Sequence, residues 1–397
     1  MEKILLGSIA DIQTGPFGSQ LHKEDYVQDG TPIVTVEHLG NRVFTEQNLP
    51  MVSDADKERL NKYVLSEGDI VFSRVGSVDR CSYVDSNHSG WMFSGRCLRV
   101  RPYNAIYPLY LYYFFCMEST KQFVRNIAVG ATMPSINTKL MGEIEVSVPS
   151  IDTQKRIAAI LSTIDDKIEL NTAINENLEQ HAQALFKAWF VDFEPFGGVM
   201  PDDWQIVPLG ELCDSISKKH RFNKPELIFL NTGDVENGMV LHNNYSEVSQ
   251  MPGQAKKSIA INDILYSEIR PINKHFTYVN FNADDYVVST KLMVLRVKGI
   301  SPRRLYQFLT MPDTLNELQH EAETRSGTFP QIRFDNIQQL EMIVASEQIE
   351  NEYSERLNTI YSMIDSNNAE NQRLAGLRDT LLPKLMNGEI DVSAVKI

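Results

Sequence analysis

The sequence is short of cysteine. Cys81, Cys97, Cys116 and Cys213 are its only four in 397 residues. No two stand in a C-x-x-C pair, so neither a disulfide framework nor a thiolate metal site is indicated, which fits a reducing compartment. Long apolar runs are missing as well: nothing approaches the roughly 18 to 20 residues of a membrane span. The opening "MEKILLGSIADI" lacks the basic, apolar and small-residue order of a signal peptide. A cytoplasmic location is the expectation.

Catalytic motifs are equally scarce. There is no G-x-x-x-x-G-K-[ST] loop, no G-x-G-x-x-G turn, no Asn-Pro-Pro-Tyr or Asp-Pro-Pro-Tyr segment, and no H-E-x-x-H spacing among the eight histidines. The neighbouring pairs Asp165-Asp166 and Asp284-Asp285 read as solvated charges rather than a metal site. "PDDWQ" shares two letters with a nuclease motif, but no acidic residue and lysine bracketing one position follow on a nearby strand. Neither a catalytic residue nor a metal is expected on this chain.

Positive charge is also in deficit, with a net charge of -14. A free nucleic-acid binder gains much of its affinity by neutralising phosphates, so any such contact here needs local basic loops or a more basic partner.

What the sequence does contain is a repeat. Alternate steps of four and three from Ile157 give Leu161, Ile164, Ile168, Asn171, Asn175, Leu178, Ala182 and Leu185, a coiled-coil seam. Adding 196 to each gives Tyr353, Leu357, Ile360, Ile364, Asn367, Asn371, Leu374, Arg378 and Leu381, with both asparagines in place. A buried polar layer costs stability but penalises other alignments, so the asparagines are read as register pins. The spacing is compatible with parallel or antiparallel helices. Arg378 in the place of Ala182 predicts fraying or snorkelling there.

The repeat continues upstream. "GATMPSINTKLMGEIEVSV" (130–148) lies over "SGTFPQIRFDNIQQLEMIV" (326–344), "EGDIVFSR" (67–74) over "INDILYSE" (261–268), and "LGSIADI" (6–12) over "LGELCDS" (209–215). Strand patterns mixed with stretches such as "PLYLYYFFCMESTKQFVRNIA" make each globular part α+β. The predicted organisation is a domain over 1–150, a long helix over 151–198, a domain over 199–345 and a second long helix over 346–397. The linker "FEPFGGVMPDDW" (193–204) marks the junction. Phe186, Trp189, Phe190 and Phe193 recur at helical spacing and are expected to pack onto the second domain.

Base readout needs forked donors and acceptors, while hydroxyls and backbone amides commonly hold phosphates. In the first half the candidates are Ser19, Gln20, His22 and Lys23; then Arg74, Ser77 and Arg80 in "SRVGSVDR"; then Asn137 and Lys139. In the second they are Lys218, Lys219, His220, Arg221 and Lys224 in "SKKHRFNK"; then Arg270, Asn273 and Lys274 in "SEIRPINK"; then Gln331 and Arg333. Both halves keep a Thr-x-Pro-x-Ile frame. Ser135 against Gln331 and Asn137 against Arg333 are the changes around it, which suggests a scaffold carrying exchangeable readers.

With "TGPFGSQL", "VPSIDTQKRIAAIL", "ALFKAWFVDFEPF" and "LRDTLLPKLMNGEIDV" in this order, the whole chain resembles the specificity subunit of a type I restriction-modification system. The resemblance implies two target-recognition domains, each reading half of a split double-stranded DNA site, separated by two antiparallel helices that set the gap. It further implies methyltransferase subunits, two of them, clamped on the helices, with restriction endonuclease-translocase subunits joining. No catalysis would belong to this chain, and S-adenosylmethionine and ATP with magnesium would be bound by those partners. "ASEQIENEYSERL" departs from the pattern: Gln348 is placed opposite Gln154, and nothing matches Pro149. Two other readings of the residues are a protein-binding coiled-coil adaptor and a nuclease with a cryptic site.

Overall fold

A computed structural model of the chain describes residues 2–16, 20–325 and 329–395. It divides into two compact units, Met1–Asn171 with Asn368–Ile397, and Thr172–Asn367.

In the first unit the strand Glu2–Leu5 pairs antiparallel with Glu145–Val148 and closes the globular part. Within it lies a four-stranded antiparallel sheet in the order Ala10–Thr14, Cys97–Pro102, Ile70–Ser73, Cys81–Tyr83. A second sheet of short strands includes the parallel pair Thr31–Val34 and Met92–Phe93. The helices Pro108–Cys116 and Glu118–Ile127 cover the first sheet, with Tyr110, Leu111, Tyr113 and Phe115 in its core.

The second unit repeats this plan. Gln205–Pro208 pairs with Glu341–Val344, and its main sheet runs Cys213–Ser215, Leu292–Val297, Ile264–Ser267, Phe276–Tyr278. Its parallel pair joins Glu226–Leu230 to Tyr286–Ser289. Individual bonds are duplicated too. Leu6 N–H donates to the Ile144 carbonyl at 2.8 Å, and Leu209 N–H to that of Leu340 at 2.8 Å. Arg101 Nε donates to the buried Asp69 carboxylate at 2.6 Å, and Arg296 Nε to the buried Asp263 carboxylate at 2.8 Å. Leaving either aspartate without its arginine would strand a buried charge, which is a physical reason for both copies to keep the pair.

The two long helices cover Ile151–Phe190 and Glu347–Met386, 40 residues each, displaced by 196 at both ends. In the first unit Asn171 donates to Asn371 Oδ1 at 2.9 Å and Arg378 to Asp165 at 2.8 Å, so rising numbers on one helix meet falling numbers on the other. In the second unit Asn367 donates to Asn175 Oδ1 at 2.8 Å, in the same antiparallel sense. Ile157, Leu161, Ile164, Tyr353, Leu357 and Ile364 are buried in the seam, whereas Ile168, Leu178, Leu185, Ile360, Leu374 and Leu381 are half-buried.

Two expectations are corrected. Arg378 neither frays nor snorkels: burial alone would lower its pKa, but the bonds to Asp165 and Asp379 raise it, and Tyr113 supplies a further donor to Asp165 at 2.7 Å. The residue opposite Gln154 is Glu350, which is buried, while Gln348 is exposed. Gln154 donates to the Pro149 carbonyl at 2.9 Å, whereas Glu350 accepts the Ala345 N–H at 2.8 Å. Proline has no N–H to offer, so an amide suits the first copy and a carboxylate the second.

Phe186, Trp189 and Phe190 are buried with Trp204 and Tyr353 in the second unit's core, with half-buried Phe193 packed against it. No helix among the described residues is long and apolar enough to cross a membrane.

Candidate nucleic-acid interface

In each unit the loop that follows the central strand of the main sheet meets the tract carrying the Thr-x-Pro-x-Ile frame. Ile136 N–H donates to the Arg74 carbonyl at 2.9 Å, and Gly76 N–H to that of Pro134 at 2.8 Å. Ile332 N–H donates to the Glu268 carbonyl at 2.8 Å, and Arg270 N–H to that of Pro330 at 3.2 Å. The structure thereby joins Arg74, Ser77 and Arg80 to Asn137 and Lys139 in one unit, and Arg270 to Gln331 and Arg333 in the other.

These side chains differ in what they are free to do. Ser77 and Lys139 are exposed. Arg80 donates to the Leu39 carbonyl and lies over Gly40, whose φ of +117° and lack of a Cβ leave room for the guanidinium. Arg74 donates to the Gly95 carbonyl at 3.2 Å. Asn137 caps the helix Thr138–Gly142 by accepting the Leu140 N–H at 2.9 Å. In the second unit the N-cap position is held by Arg333, whose side chain is exposed, and Asn336 from the first turn accepts the Arg333 N–H at 2.9 Å instead.

The basic loop of the second unit joins the same region. Ser258 N–H donates to the Lys218 carbonyl at 2.9 Å, and His220 N–H to that of Lys256 at 2.8 Å. Lys218, Lys219, Arg221 and Lys256 are exposed along this edge. Half-buried His220 has its pKa lowered by burial and then by Lys224, while Lys224 pairs with Asp285. From the same strand, Lys257 bonds the carbonyls of Thr290 at 3.0 Å and Leu292 at 2.8 Å. Burial lowers its pKa, Glu268 opposes that and Lys291 adds to it. Lys291 in turn contacts Glu268 at 3.0 Å and Gln331 Oε1 at 3.2 Å. A continuous run of contacts thus links "SKKHR" to Gln331.

Other candidates lie elsewhere or are occupied. Gln20 accepts from the Tyr63 hydroxyl at 2.6 Å, and His22 is exposed. Ser19 and the side chain of Lys23 lie outside the described residues. Asn273 is exposed, and Lys274 lines a cleft with Glu179, Gln183 and Tyr306. Arg270 and Lys274 hold φ of +42° and +56°, left-handed values that cost non-glycine residues energy and often mark working loops. Sequence reasoning passed over Lys256, Lys257, Glu268, Lys291 and Arg96. The available signal was the alignment of "EGDIVFSR" with "INDILYSE", which sets Glu268 opposite Arg74. Among the described residues no group of three or more His, Cys, Asp or Glu could hold a metal ion.

The pattern described for the type I restriction modification DNA specificity domain matches residues 1–180 and 201–375. The specificity subunit of the type I restriction enzyme HindI from Haemophilus influenzae is 38% identical over 182 residues, 45% of this chain and 40% of that protein. The present chain therefore matches less than half the length of that relative. The MjaIX specificity subunit from Methanocaldococcus jannaschii is 24% identical over 326 residues, 73% of this chain and 71% of that one. The crystal structure of a type I restriction-modification S subunit from M. genitalium has the same fold, with a TM-score of 0.61 at 16% identity over 97% of this chain and 95% of that one.

Proposed function

Because the chain belongs to the type I restriction modification DNA specificity family, we propose that it is the sequence-specificity subunit of a type I restriction-modification complex. Each unit reads one half of a bipartite duplex site, and the two long helices set the gap and dock two methyltransferase subunits. Endonuclease-translocase subunits complete the assembly in the cytoplasm. Methylation and cleavage, with their S-adenosylmethionine, ATP and magnesium, belong to those partners, and this chain contributes selection alone.

One observation carries the reading. The repeat preserves the backbone bonds that place two loops side by side, yet changes the polar side chains those loops present. A protein-binding adaptor has no need of two matched frames bearing different hydrogen-bonding groups, whereas a reader of two unlike half-sites does. Phosphate attraction is supplied locally by Lys218, Lys219, Arg221 and Lys256, which accommodates the acidic total of -14.

The test is to map methylated adenines in a host carrying the system, with and without this gene. The expected result is a split motif with a constant unspecified gap that disappears with the gene. In parallel, gel shifts with and without methyltransferase subunits should show sequence preference in the assembled form; an adaptor would confer none in either.

A further inference from the structure

A carboxylate stands among cations on the second unit's interface. Glu268, 20% exposed at its side chain, receives Lys291 Nζ at 3.0 Å, and the same ammonium donates to Gln331 Oε1 at 3.2 Å. With the Gln331 oxygen so engaged, its amide nitrogen is the group of that side chain left to donate. The second carboxylate oxygen of Glu268 accepts no hydrogen bond among the described residues. Near a polyanion an acidic side chain is repelled by phosphate, so its place here needs a reason other than backbone contact.

The first unit holds the equivalent positions on the same scaffold. Arg74 N–H donates to the Arg96 carbonyl at 2.8 Å, as Glu268 N–H does to that of Lys291 at 3.0 Å. Ile136 N–H donates to the Arg74 carbonyl at 2.9 Å, as Ile332 N–H does to that of Glu268 at 2.8 Å. Ser135 stands where Gln331 does, each bridged to its loop partner, Val75 or Ile269. The backbone is repeated while the side-chain polarity is inverted: two guanidiniums and a hydroxyl against a carboxylate, an ammonium and an amide.

Major-groove edges sort in the same way. Guanine offers two acceptors, N7 and O6, and suits an arginine fork. Adenine offers the N7 acceptor beside the N6 donor. A carboxylate taking N6–H while an amide nitrogen donates to N7 satisfies both, whereas guanine would set O6 against the carboxylate. Cytosine would use the carboxylate and leave the amide unanswered. Building on the specificity-subunit reading, we propose that Glu268, Lys291 and Gln331 form a base-reading station that selects adenine in the half-site of the second unit, and that the exposed Arg96, opposite Lys291 in the repeat, selects guanine in the other.

The experiment selects bound duplexes from a randomised pool with the full chain assembled with its methyltransferase subunits. Wild type should return a split motif with a fixed adenine in one half and a fixed guanine in the other. Glu268→Ala should lower adenine preference at one position by about tenfold or more and leave the remaining positions unchanged. The graft Glu268→Arg, Lys291→Arg, Gln331→Ser should move that position towards guanine. An unaltered motif from Glu268→Ala, or a change at a base other than adenine, overturns the station. A wild-type pool without any motif overturns the specificity-subunit reading instead. Should Glu268→Ala fail to fold by thermal melting, Gln331→Ala poses the same question, and an unaltered motif from that variant overturns the station equally.

Discussion

Arg304 is fully buried, an arrangement that arginine tolerates only when an opposite charge is paired with it. Its guanidinium bonds Glu350 and, at 2.6 Å, the Ile343 carbonyl, and stacks 3.7 Å from the centre of the Phe190 ring. In the first unit Tyr110 occupies the matching place, its hydroxyl donating to the Ser147 carbonyl at 2.7 Å, with Gln154 in the place of Glu350. The same socket therefore accepts a charged pair or a neutral one, but not half of each. Arg304→Tyr alone is expected to cost about 3–5 kcal/mol, since Glu350 is left buried and uncompensated. Adding Glu350→Gln should recover much of the loss in chemical denaturation. A second residue-scale expectation concerns Glu179, whose carboxyl is pushed above the ordinary glutamate range by burial, with Lys274 pulling the other way. A raised folded-state pKa means that the folded chain prefers the protonated acid. Glu179 then weakens the fold above its own pKa and ceases to do so below about pH 4.3, where the unfolded chain is protonated as well. Glu179→Gln should raise the denaturation midpoint at pH 7, and the gain should close as the pH falls towards 4.

At the scale of the element, the heptad pattern was legible because 3.5-residue periodicity is a local property of the chain. The offset of 196 was implicit in the seam, but the helix ends were not: the helices stop at Phe190 and Met386, short of the expected 198 and 397. What periodicity could not supply was direction, and direction decides partners: Asn171 meets Asn371 rather than Asn367, and Asn175 meets Asn367. The Arg378 contact was hidden for the same reason, because Asp165 lies 213 residues away in sequence. Asn367→Leu alone should cost about 1–2 kcal/mol by removing the hydrogen bond to Asn175. With Asn175→Leu added, equilibrium unfolding is expected to show a net gain, the buried polar layer having been exchanged for an apolar one. Of the interface, the loops were readable from clustered Arg, Lys, Asn and Gln. Lys256, Lys257 and Lys291 were not, since they join it only through strand pairing and long-range carbonyl contacts.

Over the whole molecule, duplication separates what is kept from what is varied. The Arg101–Asp69 and Arg296–Asp263 pairs and the Leu6 and Leu209 closures are kept, and the loop tips are not. If the long helices set the gap between half-sites, one added heptad in each lengthens the pair by about 10 Å, at roughly 1.5 Å per residue. The unspecified gap should then widen by about three base pairs with both half-motifs unchanged, as read by the methylation pattern of the variant. A pattern with the original gap would remove the helices from that role.

The way the chain is shared between the units has a consequence for its birth. Thr172–Asn367 is one uninterrupted stretch, whereas the other unit needs Asn368–Ile397 to finish a hydrophobic cluster that includes Leu382, Leu385 and Val392. A ribosome delivers those residues only after the whole of Thr172–Asn367. The portion translated first must therefore wait, its apolar helix face uncovered, while the portion translated second is already able to settle, and it is during that interval that a chaperone would have the most to shield.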